Sequence, residues 1–377
     1  MAADVDIDDE DAVEPVQVLI DSYNESARFA AEAAVMKRRF VVRVLTNRLR
    51  MLRDLAAHPE ILDIHLIPPV IIHTMPRTGS TKLQKALAST GEVNWLPYWM
   101  TLNYASVSGV PGEDTSWRIA DVVEYATWCD ERSPETRFGH HMQATEPEEE
   151  AVIMQGSLLT PSFSGFAACD SYLAWLATCD PTAQFRYVRD VLKYLIWQEL
   201  ADPAKPFVLK CVVTPGYDSA MRAVYPDATV VALQRSPFKF VPSAAKLGQC
   251  FHRIYSDQPR RNLARTPERS ASRIHRSLDY REANPHDVFH DVSYADVRAD
   301  SVDVARRIFG AAGIECGRQA FDNVAKWEAD HPQRRGGTWA YAPEDFGFTN
   351  ADIADSFERY IAWVADRGIA DYRTPDR

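Results

Sequence analysis

Apolar residues recur at helical spacing through residues 17–57, with basic side chains such as Lys37, Arg38, Arg39, Arg43, Arg48 and Arg50 between them, a pattern that predicts a surface helical layer. The pattern changes at Pro69-Val-Ile-Ile72. This short apolar run, rich in β-branched residues, has the signature of a buried parallel strand and runs straight into Pro76-Arg-Thr-Gly-Ser-Thr81. From Ser80 the spacing is helical again, through Leu83, Ala86 and Leu87 to Gly91, so the unit is strand, polar turn, helix. Two more runs, Phe207–Leu209 and Ala228–Leu233, read as buried strands, each followed by helical spacing, with a helix holding Met221 and Val224 between them. Tyr187–Ala201 carries Val188, Leu192 and Leu195 on one stripe. Val288–Val292 is a further strand candidate, and helices are expected at 302–312, 318–329 and 350–366. Strand and helix in alternation predict an α/β fold. No internal repeat is visible.

Composition changes this picture little. The 377 residues are 46% hydrophobic and 25% charged, within the range of ordinary globular proteins, which excludes collagen-like, coiled-coil and wholly disordered chains. Charge is more informative. The net charge is −11, but residues 1–14 hold seven acids and no base, so −4 is left for the remaining 363 residues. Residues 1–16 are therefore expected to be an acidic disordered tail, and 17–377 a single α/β domain with an N-terminal helical layer. Such a tail repels nucleic acid and membrane surfaces, so neither is expected as a partner. The six cysteines (129, 169, 179, 211, 250, 316) form no CxxC pair and no zinc-like spacing, so reduced thiols, a cytoplasmic location and no metal are expected. The N-terminus lacks a signal peptide's basic start and apolar run, and the longest uncharged stretch, Ala151–Cys169, is too polar to span a membrane.

The candidate chemistry lies in the turn after the first strand. A strand-to-helix turn presents backbone N–H groups at the positive end of the helix dipole, a setting that suits phosphate or sulfate. Gly79 permits close backbone approach, Thr78, Ser80 and Thr81 add hydroxyl donors, and Arg77 adds a guanidinium fork. The GxxxxGK[ST] pattern of nucleoside triphosphatases does not fit, because Thr74 and Ser80 stand at its first Gly and its Lys. A P-loop kinase is thereby disfavoured.

With these residues the chain resembles the sulfotransferases that use 3′-phosphoadenosine 5′-phosphosulfate (PAPS), most closely their bacterial branch. Pro76–Thr81 looks like the family's 5′-phosphosulfate loop. Arg235, closing Tyr225-Pro-Asp-Ala-Thr-Val-Val-Ala-Leu-Gln-Arg235, and Ser243 eight residues on match its 3′-phosphate signature. Similarity extends over roughly residues 58–366, including Pro147-Glu-Glu149, Val208-Leu-Lys210, Val292–Asp296 and His331–Gly347, where Arg335 is expected near the 3′-phosphate. The resemblance implies a P-loop-like fold with a central parallel sheet, flanking helices and added helical insertions. It also implies sulfuryl transfer from PAPS, without a metal, to a small acceptor. Arg77 would hold the leaving phosphate and Lys210 would stand beside the transferred group.

Three positions depart from the branch: Met100 follows Trp99 where Glu is frequent, Thr214 stands at a usual His, and Trp339-Ala-Tyr341 replaces His-x-Tyr. His140 and His141, ahead of Thr145-Glu-Pro-Glu148, become the candidate bases, with Glu148 and Glu149 able to orient one of them. His73, inside the first strand, reads as a packed side chain. Trp95, Tyr98, Trp99, Tyr104, Phe163 and Phe166 are aromatic candidates for core or acceptor pocket and would favour a hydrophobic or aromatic hydroxyl compound (or amine). Seven arginines in 253–276 form either a solvated face or a basic lid over an anion. A family member that binds the nucleotide without turning it over is the competing reading from outside enzymology.

Overall fold

The computed structural model describes residues 9–258, 266–331 and 339–369. Four strands, β1 (Val70–His73), β2 (Val208–Cys211), β3 (Thr229–Gln234) and β4 (Phe289–Ser293), form one sheet in the order β2-β1-β3-β4. All pairings are parallel, with Ile72 opposite Lys210 on one side and Val231 on the other. Every residue of β1 and β2 is buried, because helices cover both faces. Alternation along the strands divides the core. Val70, Ile72, Val208 and Val231 pack with Leu83, Leu87, Val304 and Ile308 on one face. Ile71, Leu209 and Val230 face the larger cluster, which includes Leu19, Phe40, Leu192 and Tyr255.

The four predicted strands and the helix at Ser80–Ser89 stand within two residues of their expected limits. The two long helical stretches are each broken. Residues 17–57 become Glu10–Ser26 and Ala31–Ala57, separated where Arg28 takes a positive φ of 50°. Residues 350–366 become Asn350–Ser356 and Glu358–Asp366, joined at the buried Phe357. The first helix also starts inside the stretch expected to be a tail: Ala12 and Pro15 are buried, and Asp9 pairs with Arg48 at 2.5 Å. Lys37, expected among surface basic residues, is buried instead. Its ammonium lies 3.9 Å from the Tyr255 ring centroid and 5.0 Å from that of Phe40, a cation–π setting. Among the described residues, no helix is long and apolar enough to cross a membrane.

The sheet order sets the positions of the candidate residues. β1 leads into the Thr74–Gly79 turn, β2 ends at Lys210 and Cys211, and β3 ends beside Arg235. Parallel strands open their carboxyl ends along one edge, where ligands bind in open α/β sheets.

Candidate functional site

The turn after β1 is built from its own side chains. The hydroxyls of Thr74 and Thr78 meet each other and the Met75 carbonyl, so Thr78, expected to offer a hydroxyl to the ligand, spends it on the turn. Gly79 takes φ +91°, and a Cβ there would stand 2.7 Å from the Tyr294 ring; glycine answers both the backbone and the space. Ser80 and Thr81 open the following helix and line a cavity of about 610 Å³.

Arg77, itself at φ +71°, joins this turn to its neighbours. Its Nε donates to Ser243 Oγ over 3.1 Å and its Nη1 to the Gly139 carbonyl. Ser243 Oγ also accepts the Trp339 indole N–H at 3.2 Å, so Trp339, one of the three departures from the family pattern, buttresses this corner. Arg235 donates to the Arg77 carbonyl, and its guanidinium lies 4.0 Å from the Tyr294 ring centroid. Burial, with Arg235 nearby, lowers the Arg77 pKa. Arg77 is thus brought against Arg235 and Ser243, 158 and 166 positions further along the chain. Arg335 lies outside the described residues, as do Arg260, Arg261 and Arg265 of the basic segment.

Lys210 is fully buried at the end of β2, 3.0 Å from Glu149 and 3.7 Å from Glu148, with Thr81 Oγ1 at 3.4 Å. Burial opposes its charge, but Glu149 and Glu148 outweigh burial and raise its pKa. Glu148 accepts from His140 Nε2 at 2.7 Å. Burial alone would raise the Glu148 pKa; His140 and Lys210 instead hold it down at about 2. His140 lines the cavity, whereas the half-exposed His141 points its Nε2 toward Asp130 at 3.7 Å. Geometry therefore separates the two histidines. His140, Glu148 and Glu149 bring metal-ligating atoms within 4.8 Å of one another, and the Lys210 ammonium already serves the two carboxylates.

Glu150 escaped the sequence reading. It is buried and accepts the backbone N–H of Lys210 at 2.7 Å, and burial pushes its pKa up to about 7. The three-acid run Glu148–Glu150 ahead of an apolar stretch was its only sequence signal. Neither of the other departures supplies a base: Met100 is buried in the core, and Thr214 donates to the Cys211 carbonyl at 3.0 Å. His73 is packed, with Ser277 at 3.1 Å and Asp218 at 3.3 Å, and burial lowers its pKa. Of the aromatic candidates, Tyr98 and Phe166 line the cavity. Trp99, Tyr104 and Phe163 are core, and Trp95 is not on its wall.

Residues 68–317 match a family model described as the sulfotransferase family. No curated protein matches the chain. Two solved structures resemble it in fold. Sulfotransferase STF1 from Mycobacterium tuberculosis H37Rv shares 24% identity at a TM-score of 0.76, over 94% of this chain and 93% of that one. Sulfotransferase STF9 from Mycobacterium avium shares 22% at a TM-score of 0.79, over 99% and 94%.

Proposed function

Because the chain belongs to the sulfotransferase family, and sulfuryl transfer is therefore the general class of its reaction, we propose that PAPS is its donor and a small hydroxyl compound with an apolar body its acceptor. The observation that carries this reading is the junction of Arg77 with Ser243 and Arg235, which sets a second cationic group directly against a strand–turn–helix turn of the kind that suits an anion. A nucleotide with both 5′ and 3′ phosphates uses both parts.

In this reading Arg77 and the N–H groups at the start of the Ser80–Ser89 helix bind the leaving 5′-phosphate and offset its growing charge. Arg235 and Ser243 hold the 3′-phosphate. Lys210, fixed by Glu149 and Thr81, supplies positive charge beside the sulfuryl oxygens. The acceptor oxygen forms the new S–O bond as the bond from sulfur to the phosphate oxygen breaks, and the acceptor proton passes to His140. The imidazole donates Nε2–H to Glu148, so Nδ1 receives that proton and Glu148 stabilises the resulting cation, a division of labour familiar from carboxylate–imidazole pairs. Binding energy here goes mainly into aligning two reactants and meeting charge.

The test is differential binding. Adenosine 3′,5′-bisphosphate is expected to raise the melting temperature well above the effect of AMP, and Arg235→Ala to weaken the bisphosphate by about 2–4 kcal/mol. Equal binding of both nucleotides by calorimetry would overturn the donor assignment. With labelled PAPS and a panel of alcohols and phenols, bound donor without transfer to any of them would instead leave a nucleotide-binding protein.

A further inference from the structure

The helix Pro267–Ala283 crosses the carboxyl edge of the sheet. Arg273 donates to the carbonyls of Val212 and Pro215 just after β2, Ser277 meets His73 of β1, and Arg281 pairs with Asp291 of β4 at 2.6 Å. Its N-terminal half therefore extends past β2, the edge strand, on the opposite side of β1 from Arg235 and Ser243. There Arg269, Arg273 and Arg276 line the same cavity, with Glu268 as the one acid of that helix on the wall. Arg273 donates to backbone carbonyls and Arg276 to Ser272 Oγ at 3.0 Å; among the described residues none of the three makes an ion pair. The other acids on the wall, Glu148 and Glu149, are matched by His140 and Lys210. The same wall carries apolar side chains: Phe166 stacks on Phe251 at 4.6 Å, Phe251 lies 5.9 Å from the His140 ring, and Leu173 and Val213 line the cavity with them.

From this layout, and resting on the sulfotransferase reading of the site, we propose that the acceptor is an anionic amphiphile. It carries a hydroxyl at the His140 end, an apolar body along Phe166 and Phe251, and a carboxylate or comparable anion held by Arg269 and Arg276. Arg273, tied to the β2 loop, fixes the wall behind them. Guanidinium groups without carboxylate partners on the wall of a cavity that also carries apolar side chains favour such a ligand over its uncharged counterpart, because an anion forms charge-assisted hydrogen bonds with them that an ester does not.

ω-Hydroxylauric acid and its methyl ester share the hydroxyl and the apolar chain and differ in charge, so calorimetric binding of each to the full chain tests the proposal. The acid is expected to bind about tenfold more tightly than the ester, and in R269A and R276A that ratio should fall to within about twofold of parity. Added salt should erode it, since both guanidinium groups are exposed. Equal binding of acid and ester, or a ratio unmoved in both variants, overturns the proposal. Repeating the titration with saturating adenosine 3′,5′-bisphosphate separates the two ends of the cavity: the acid should still bind, and its displacement would place its anion in the donor corner and overturn the proposal. A bisphosphate that fails to bind would refute the donor reading alone, because the acid-to-ester ratio is measured without it.

Discussion

At the scale of single residues, Lys210 and His140 carry the sharpest expectations. Lys210 sits between two carboxylates, so its ammonium is placed by charge rather than by reach, and its role in transfer should appear in kcat more than in donor affinity. Lys210→Met, which preserves most of the volume, is expected to slow turnover roughly 10²–10³-fold, as for loss of one donor to a developing anion. Single-turnover kinetics with saturating donor would check this, and a donor Kd that shifts as much as kcat would contradict it. The two histidines should behave differently: His140→Ala should cost about 10²-fold or more with an aliphatic alcohol, whereas His141→Ala, directed toward Asp130, should cost little. Equal effects of the two substitutions would remove His140 from the mechanism. The cluster of His140, Glu148 and Glu149 also admits a metal-dependent alternative. In the lysine-based scheme EDTA leaves the rate unchanged, and activity lost to chelator and restored by a divalent cation would displace that scheme.

At the scale of elements, the turn after β1 depends on a glycine for two reasons at once. Gly79→Ala must place an L-residue at φ +91° and a Cβ 2.7 Å from the Tyr294 ring, so a loss of about 1–3 kcal/mol in denaturant unfolding is expected. The melting-temperature response to the bisphosphate should diminish with it. Adding Tyr294→Ala relieves the contact but not the dihedral, so full rescue by the double variant would show that contact alone mattered. This turn was legible in the sequence because its chemistry lies in consecutive residues flanked by a β-branched run and a helical pattern. The strands were legible for the same reason: two-sided burial makes them short continuous apolar runs. The breaks at Arg28 and Phe357 were not, since the apolar face continues across each and no Pro or Gly marks it. Nor were the contacts of Glu150 with Lys210, Trp339 with Ser243, or Tyr294 with Arg235, which join residues 59 to 96 positions apart through the sheet order. Lys37 was misplaced because a basic residue on an amphipathic helix normally belongs to the solvent face, and here a ring of aromatic side chains takes it in.

At the scale of the whole molecule, three buried ionisable groups should shape how stability depends on pH, with signs that differ. Glu148 has its pKa held down at about 2, so its contribution is present above the ordinary carboxylate value of 4.5 and is lost as pH falls toward 2. Glu150, raised from 4.5 to about 7, acts in the opposite direction: the unfolded chain gives up its proton first, so stability present below 4.5 is lost as pH rises to 7. That shift corresponds to about 3 kcal/mol. Lys37, lowered by burial from 10.5 to about 7, costs stability wherever the unfolded chain holds a proton that the folded chain has shed or holds against desolvation. Its penalty is full below 7 and fades as pH climbs to 10.5. Urea unfolding of the parent chain, Glu150→Gln and Lys37→Met, each at about pH 5, 7 and 9, isolates the terms as differences from the parent. Glu150→Gln keeps a carbonyl oxygen for the Lys210 N–H and should gain on the parent between pH 5 and 7. Lys37→Met should show its greatest advantage at pH 5 and 7 and lose part of it by pH 9. A difference curve for Glu150→Gln that stays flat from pH 5 to 7 would mean that Glu150 is ionised in the folded protein throughout, and the carboxylate beneath Lys210 would then be a third negative charge at the site.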